Sequence, residues 1–266
     1  MNTQSQIDAA TIRADIRAGA HTGHTAGLAP GKLQCNLAIL PERHALDFLR
    51  FCQRNPKPCP VVGVSETGDP MMPTLGRNID IRTDVPKYRV FRDGVLFSEV
   101  TDISELWSDD LVTVALGCSF TFENALQRYG IPVRHLDDNV LVPMFRTNIP
   151  LVPAGPFHGH MVVTMRPIPE AMVSRAHEIS GRYPQAHGAP IATGDPTALG
   201  IQDLTRPDYG DPVEVRDGEV PVYWACGVTP QNVLLDAQLP ICITHSPGHM
   251  LISDVAEDAE TPIYHP

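Results

Sequence analysis

The spacing of apolar residues along the first part of the chain predicts two helices and several short strands. Apolar side chains recur at helical spacing over residues 7–19, where Gly19 is the stop, and over residues 42–54, which precede Asn55-Pro56. Apolar runs bounded by turn residues predict strands at 31–40 and 60–64, the second of them buried, and a hairpin over 88–97 around Asp93-Gly94. The turn-rich segment 65–76 is a candidate loop beside a site.

A longer pattern, Cys-x-x-Thr-x-(Glu/Gln)-Asn-x-Leu, occurs twice, starting at Cys118 and at Cys226. Each copy follows an apolar run of strand length and precedes a helical segment, so each cysteine is expected in a turn between a strand and a helix. Thr121 and Thr229 are the predicted N-caps of these helices, because a threonine hydroxyl there accepts a hydrogen bond from a free N–H group of the first turn.

Each copy is followed by a second repeated motif, Gly-His-Met, at residues 159–161 and 248–250. Each of these motifs leads into an apolar segment that is predicted to be a strand. We therefore predict a mixed α/β (α+β) fold with an internal duplication. Two strand-turn-helix-strand units then face one central cleft across a pseudo-twofold axis. The predicted division places a mixed-sheet scaffold in residues 1–110 and the duplicated region in residues 111–266.

The charge balance and the cysteine count exclude several classes of function. With 20 Lys and Arg against 31 Asp and Glu, the formal net charge of -11 argues against nucleic-acid binding, which needs a basic face. No apolar run approaches the roughly 18 residues of a membrane span, and the first residues lack a signal-peptide pattern, so a cytoplasmic protein without membrane partners is expected. The six cysteines form no Cys-x-x-Cys pair and are expected to be reduced thiols. A homo-oligomer is compatible with the sequence.

Two helix N-termini that face one cleft predict an anion-binding site, because free backbone N–H groups and the helix dipole both favour negative charge. A small anionic substrate, such as a carboxylate, fits this geometry. The same field is expected to lower the pKa of the Cys118 and Cys226 thiols, which makes them candidate nucleophiles or acid/base groups. The alternative is that both cysteines are small apolar residues that fill tight turns.

Two arginines in apolar surroundings, Arg146 and Arg166, need an anionic partner, which is either a substrate carboxylate or an Asp or Glu of the protein. Asn148, two residues after Arg146, is a further candidate for substrate binding. Glu123 lies in the first turn of the first duplicated helix, where the matching residue of the second helix is Gln231. If one half supplies a general acid or base, Glu123 favours the first half.

Histidines are dense near the repeat, at positions 158, 160, 245 and 249. Their spacing matches no strong metal motif, so neither a metal nor another cofactor is predicted. His160 and His245 are instead candidate acid/base groups.

Several unusual segments give the chain a strong resemblance to the D-glutamate cyclase family, whose bacterial members are generically called hydro-lyases. The segments are Gly-Leu-Ala-Pro-Gly at 27–31, Phe-Leu-Arg-Phe-Cys-Gln-Arg-Asn-Pro at 48–56, Ile-Asp-Ile-Arg-Thr-Asp at 79–84, Gly-Cys-Ser-Phe-Thr-Phe-Glu at 117–123, Arg-Thr-Asn at 146–148, Met-Arg-Pro at 165–167, Trp-Ala-Cys-Gly-Val-Thr-Pro-Gln at 224–231 and Thr-His-Ser-Pro-Gly at 244–248. The resemblance implies a lyase that eliminates water. In the eukaryotic member the reaction closes D-glutamate to 5-oxo-D-proline. The resemblance transfers no catalytic residue.

Two other functions remain open at this point. Paired thiols on two similar halves are also typical of a cofactor-independent racemase or epimerase, in which they act on opposite faces of the substrate. The same helix N-termini would also serve a carboxylate-binding accessory protein without turnover. In the cyclisation, Cys118 is either a spectator or the nucleophile of a thioester.

Overall fold

The computed structural model describes residues 8–265, in which six α-helices pack against two antiparallel sheets. This architecture confirms the predicted mixed α+β class. The helices are α1 (Ala9–Arg17), α2 (Glu42–Arg54), α3 (Phe120–Arg128), α4 (Arg134–Asp137), α5 (Val173–Gly181) and α6 (Val228–Asp236). Among residues 8–265, no helix is both long enough and apolar enough to cross a membrane.

The larger sheet is built around one central strand, β1, whose residues are buried after the first. Its seven strands in the described part of the chain are β1 (Lys32–Pro41), β2 (Val61–Val64), β3 (Tyr88–Arg92), β4 (Val95–Val100), β5 (Leu111–Gly117), β10 (Cys242–His245) and β11 (Leu251–Ala256). β1 pairs with β5 on one side. On its other side β1 pairs first with β11 and then, further along, with β10.

The smaller sheet comes from one continuous stretch of the chain. Its strands are β6 (Met144–Pro150), β7 (His160–Pro169), β8 (Ala192–Thr193) and β9 (Glu219–Ala225), in the order β6-β7-β9-β8. After β9 the chain returns to the larger sheet to form β10 and β11. The sheets therefore do not divide the chain at residue 110.

The local predictions for the first part of the chain agree closely with the structure. The second helix spans the predicted residues. The first helix is confirmed from Ala9 onward, while its predicted start at Ile7 lies outside the described residues. The hairpin is also confirmed: Asp93 and Gly94 have φ angles of 49° and 77°, and a two-residue turn with both φ angles positive matches the twist of the strands it joins.

The strand at 60–64 differs from its prediction in burial. β2 forms an edge of the larger sheet and pairs only with β5, so its valines Val61 and Val64 are exposed. A short apolar run is equally typical of a buried strand and of an edge strand, and only the order of the strands distinguishes the two.

The predicted N-caps of the two duplicated helices are wrong. The cap positions belong to Ser119 for α3 and to Gly227 for α6, so Cys118 and Cys226 lie one residue before the cap. Neither cap residue makes a side-chain capping hydrogen bond. Both threonines lie inside the first helical turn.

The hydroxyls of these threonines attach each helix to a neighbouring strand instead. Thr121 Oγ1 accepts a hydrogen bond from the Gln34 N–H of β1 at 3.2 Å. Thr229 Oγ1 accepts one from the Val162 N–H of β7 at 2.9 Å. The repeated threonine is therefore explained by strand attachment rather than by capping.

The helix that follows each cysteine bridges the two sheets. α3 leaves the larger sheet after β5, and its Glu123 contacts Arg166 on β7 of the smaller sheet. α6 leaves the smaller sheet after β9, and its Gln231 contacts His245 on β10 of the larger sheet. The two turns that carry the cysteines are thereby brought to the junction between the sheets.

The two Gly-His-Met segments do not occupy matching places. β7 begins at His160 and pairs with β9, the strand that leads to Cys226. β11 begins two residues after His249 and pairs with β1. The predicted equivalence of these two strands is wrong, because strand neighbours, and not the local sequence, define a structural repeat.

Candidate active site

Both cysteine turns line one small cavity, which we call the thiol pocket. Its lining includes two thiols and four polar side chains: Cys118, Cys226, Asn36, Ser119, Thr164 and His245. The cavity has a volume of about 20 Å³. That volume holds about one water molecule. The two turns therefore meet at one place, but the described conformation is closed and does not contain an open central cleft.

The backbone makes the same contacts at both cysteines. The Cys118 N–H donates to the Gln34 carbonyl at 3.0 Å, and the Cys226 N–H donates to the Val162 carbonyl at 3.1 Å. Each of these partner residues also bonds the threonine of the same turn through its own N–H. The turns thus share one local design, while descent from a duplicated ancestor stays a prediction.

Burial, rather than the helix field, controls the acidity of the two thiols. Burial raises the pKa of Cys118 to about 12 and that of Cys226 to about 11, although the backbone N–H groups of Phe120 and Val228 act in the opposite direction. The expected lowering of both thiol pKa values is therefore wrong for this closed pocket. Both cysteines are neutral thiols at physiological pH.

Arg166 and Glu123 form a buried ion pair directly behind the thiol pocket. Both side chains are almost fully buried, and Arg166 Nε and Nη2 donate to Glu123 Oε1, the first at 3.1 Å. The guanidinium also lies over the neighbouring rings of Phe122 and Trp224, 5.2 Å from each centroid. Of the two partners that the sequence left open for this arginine, the structure contains the internal carboxylate.

The same guanidinium fixes two hydroxyl groups of the pocket lining. Arg166 Nη1 donates to Thr164 Oγ1 at 2.8 Å, and Nη2 donates to Ser119 Oγ at 3.2 Å. A guanidinium has no acceptor, so both hydroxyl oxygens must accept these bonds. Each hydroxyl hydrogen is then free to be donated to a ligand. Ser119 and Thr164 are therefore preset as hydrogen-bond donors.

Glu123 remains ionised in this buried position because its neighbours outweigh its desolvation. Burial alone would raise its pKa, but His135 and Arg166 bring the pKa down to about 2. His135 Nε2 lies 3.0 Å from Glu123 Oε1, although off the direction of a good hydrogen bond. The second carboxylate oxygen, Oε2, has no hydrogen-bond partner among residues 8–265.

His245 is a neutral imidazole that completes the larger sheet. Its Nδ1 accepts a hydrogen bond from the Leu37 N–H at 3.0 Å, where the partner of β1 changes from β11 to β10. Nδ1 is thus an acceptor, so Nε2 carries the proton, and the Gln231 side-chain amide, whose nearest atom lies 3.0 Å from Nε2, accepts it with its oxygen turned toward the ring. Burial lowers the pKa of His245 to about 3, so it does not become a cation at neutral pH.

The other candidates of the sequence analysis lie outside the thiol pocket. Arg146 and His160 line an open surface groove of about 280 Å³, and Asn148 is exposed on the same strand as Arg146. Arg146 donates to the Tyr209 hydroxyl at 2.7 Å and covers its ring. The structure thus separates these three residues from the cysteines with which the sequence analysis grouped them.

Three polar residues of the pocket lining are not among the candidates from the sequence: Asn36, Ser119 and Thr164. Asn36 had a detectable signal, since it is a polar residue in the middle of an apolar strand. Its Nδ2 donates to the Gly117 carbonyl at 2.9 Å, and a Cβ at Gly227 would lie only 2.2 Å from it. Asn36 thus packs between the two turns, which explains the glycine after the second cysteine.

Comparison with known proteins identifies close relatives along almost the whole chain. The family model described as D-glutamate cyclase matches residues 112–254. A protein from Jannaschia sp. (strain CCS1) named "Putative hydro-lyase" is 81% identical over 264 residues, which is 99% of each chain. A protein of the same name from Dinoroseobacter shibae is 65% identical, and the alignment covers 97% of this chain and 86% of that protein.

Among solved structures, a nitrogen repressor-like protein from Methanococcus jannaschii aligns over 88% of this chain and 91% of its own. The TM-score is 0.39 and the sequence identity 11%. A score this low does not establish a shared fold.

The Glu123–Arg166 pair predicts a specific pH dependence of stability. Because the pKa of Glu123 in the folded protein, about 2, is below its usual 4.5, the unfolded state binds the proton more tightly. The pair therefore stabilises the fold fully above pH 4.5, and the contribution is lost as the pH falls toward 2. Glu123→Gln should lower the free energy of unfolding by about 3–5 kcal/mol at pH 7, with a smaller difference from wild type at pH 3.

Urea unfolding of the wild type and of Glu123→Gln between pH 3 and pH 7 measures how the stability difference between them changes with pH. The matched control is Glu178→Gln, which removes an exposed carboxylate from ion pairs on α5 and should change stability little at any pH. An equal loss of stability for Glu123→Gln at pH 3 and pH 7 would show that the ion pair is not the source.

Proposed function

The chain belongs to the D-glutamate cyclase family of hydro-lyases, and from this premise we propose that it closes D-glutamate to 5-oxo-D-proline in the thiol pocket. The substrate assignment rests on the family. The location rests on one observation, namely that Arg166 donates to the hydroxyls of both Ser119 and Thr164, which line the cavity where both cysteine turns meet.

The proton balance of this reaction suits a pocket of neutral groups. The amine nitrogen attacks the side-chain carboxyl carbon, a C–N bond forms, and one carboxyl oxygen leaves as water. The ammonium group loses two protons and the leaving oxygen gains two, so no net proton enters or leaves the site. Groups that relay a proton between neighbouring atoms are sufficient, and a strongly basic or acidic side chain is not required.

The two hydroxyls would stabilise the oxyanion that forms during the attack. Donors fixed before the reaction are worth most in a dry cavity, because they need no reorientation as charge develops. The guanidinium behind Ser119 and Thr164 polarises both hydroxyls, while Glu123 balances its charge. Arg166 thus acts as a positioning residue, and the buried pair supplies orientation without placing a free cation in the pocket.

The thiols act mainly by shape in this proposal. As neutral side chains of the lining they present little competing negative charge to a substrate with two carboxylates. At the starts of α3 and α6, the Thr121 N–H donates to the Cys118 carbonyl at 3.1 Å and the Thr229 N–H donates to the Cys226 carbonyl at 3.0 Å. These groups would bind a substrate carboxylate only in exchange for those bonds.

Incubation of the purified protein with D-glutamate tests the proposal directly. Mass spectrometry should detect a product lighter by one water, and chiral chromatography should identify it as 5-oxo-D-proline, with L-glutamate as the matched control. Absence of product above the uncatalysed rate at every pH between 6 and 9 would overturn the assignment of the substrate.

Thr164→Val is predicted to lower kcat about a hundredfold, since removal of one preset oxyanion donor typically has this cost. The loss should appear equally in kcat and kcat/KM, because the bond is made only in the transition state. The matched control is Thr113→Val. Thr113 Oγ1 on β5 is buried without a partner among the described residues, so this equally isosteric change should leave turnover unaffected. A Thr164→Val enzyme with normal kcat would remove the hydroxyl from the mechanism.

Cys118→Ser and Cys226→Ser are each predicted to reduce kcat by less than about tenfold, because a thiol with a raised pKa is a poor nucleophile. Steady-state kinetics of both variants, with thermal melts to verify folding, measure this. A loss of several orders of magnitude confined to Cys118→Ser would indicate a thioester intermediate instead.

A racemase would give a third pattern, which is worth testing because both thiols line one cavity. Both serine variants would then be severely impaired, and wild-type protein in deuterated water would introduce deuterium at the α-carbon of unreacted substrate. The proposed cyclisation leaves that carbon untouched, so it predicts no such exchange.

A further inference from the structure

A second cavity adjoins the thiol pocket and is much larger. Its volume is about 290 Å³, which approaches the size of ordinary small-molecule sites. We call it the vestibule, and its principal lining residues are His24, Phe120, Asn124, Gln127, His135 and Leu141. The thiol pocket itself, at about 20 Å³, is too small to admit an amino acid. The thiol pocket must therefore widen to hold the substrate, and the vestibule is a neighbouring cavity that shares part of its wall.

The two cavities are separated by a thin partition of side chains. Phe120 and Leu141 line both of them. Gly248, which lines the thiol pocket, packs against two residues of the vestibule lining: a Cβ at this position would lie 3.3 Å from His24 Cβ and 3.4 Å from Leu141 Cδ1. The cavities are thus in contact through three residues.

We infer that the vestibule is the entry site for the substrate, which binds there first and passes to the thiol pocket between Phe120 and Leu141. This inference rests on the proposed function, since it takes the thiol pocket as the place of reaction. It assigns to the vestibule a small polar ligand of the amino-acid class.

The lining of the vestibule fits such a ligand. Among the described residues it contains two imidazoles and three side-chain amides, those of Asn124, Gln127 and Asn139, but no Lys, Arg, Asp or Glu. It therefore offers hydrogen bonds without a fixed charge that would trap one ionic form of the ligand. His135 also links it to the reaction site, because its Nε2 lies 3.0 Å from Glu123 Oε1. The polar groups of the vestibule are therefore continuous with the ion pair behind the thiols.

Leu141 is the movable part of the partition. Its backbone is fixed in both directions by Asp211, whose carboxylate accepts from the Leu141 N–H at 2.9 Å and whose N–H donates to the Leu141 carbonyl at 3.0 Å. Its side chain is only half-buried, whereas Phe120 is buried. Rotation of the leucine side chain into the vestibule opens the partition without any movement of the backbone.

The inference is tested by the access of iodoacetamide, a small neutral reagent, to the thiols of the full-length protein. Peptide mass spectrometry would follow the rates of alkylation of Cys118, Cys226 and Cys242 separately. Leu141→Ala should raise the rates at Cys118 and Cys226 by about tenfold or more and leave Cys242 unchanged, because it opens one local path. Gln127→Trp, which fills the vestibule from an exposed position on α3, should lower the same two rates.

Leu239→Ala is the matched control for loss of packing. Leu239 is buried in the same apolar cluster as Cys242 and does not line the vestibule. Its truncation should therefore raise the rate of alkylation of Cys242 and leave the rates at Cys118 and Cys226 unchanged. Equal acceleration of all three cysteines in Leu141→Ala, or no change at Cys118 and Cys226, would overturn the inference. The expected alkylation pattern in a protein without activity on D-glutamate would support the vestibule and refute the substrate. Turnover of D-glutamate without that alkylation pattern would support the substrate and refute the vestibule.

Discussion

The buried pair of Glu123 and Arg166 is the interaction on which the arrangement of the site depends. The carboxylate belongs to the helix that leaves the larger sheet, and the guanidinium belongs to the central part of the smaller sheet. One ion pair thus connects the two sheets and also orients the hydroxyls of Ser119 and Thr164. A buried pair of this kind is not in itself evidence of high stability, because desolvation offsets much of the attraction. Its observable contribution is geometric, since removal of either partner leaves the other charge buried and the two hydroxyls without a fixed orientation.

The closed state of the thiol pocket explains why its titratable groups are neutral. Desolvation disfavours the thiolate at Cys118 and Cys226 and the imidazolium at His245, so the lining carries no net charge apart from the pair behind it. A pocket with this character suits a reaction whose protons are only rearranged within the substrate. It is poorly suited to a mechanism that begins with a thiolate nucleophile, unless admission of the substrate changes the solvation of the cysteines.

The parts of the structure that depend on nearby residues could be predicted from the sequence, and those that depend on distant contacts could not. The second helix, the hairpin at Asp93-Gly94 and the strand-turn-helix at each cysteine follow from periodicity and turn residues. The N-caps were misplaced because the hydroxyls of Thr121 and Thr229 bond strands that are remote in sequence. The thiol acidity was misjudged for a related reason: a helix start is visible in the sequence, whereas its burial depends on the whole fold.

The same limit applies to the candidate site. The sequence identified both cysteines, Glu123 and Arg166, but not that the last two are partners, and it grouped Arg146 with residues that lie elsewhere. Close relatives give the family without giving the roles of individual residues, so those roles have to come from contacts. Ser119 and Thr164 become candidate site residues only because one guanidinium donates to both.

The differences between the two cysteine units are more informative about the reaction than their similarity. At the matching position of the two helices, the first unit has Glu123, which engages Arg166, and the second has Gln231, which contacts the neutral His245. Oxyanion donors are therefore concentrated on the side of the first unit, and uncharged nitrogen groups on the side of the second. In the proposed cyclisation this polarity orients the substrate, with the carboxyl group under attack toward Ser119 and Thr164. A pocket with two equal halves would bind the substrate in either direction, whereas an unequal pocket favours the single orientation that ring closure needs.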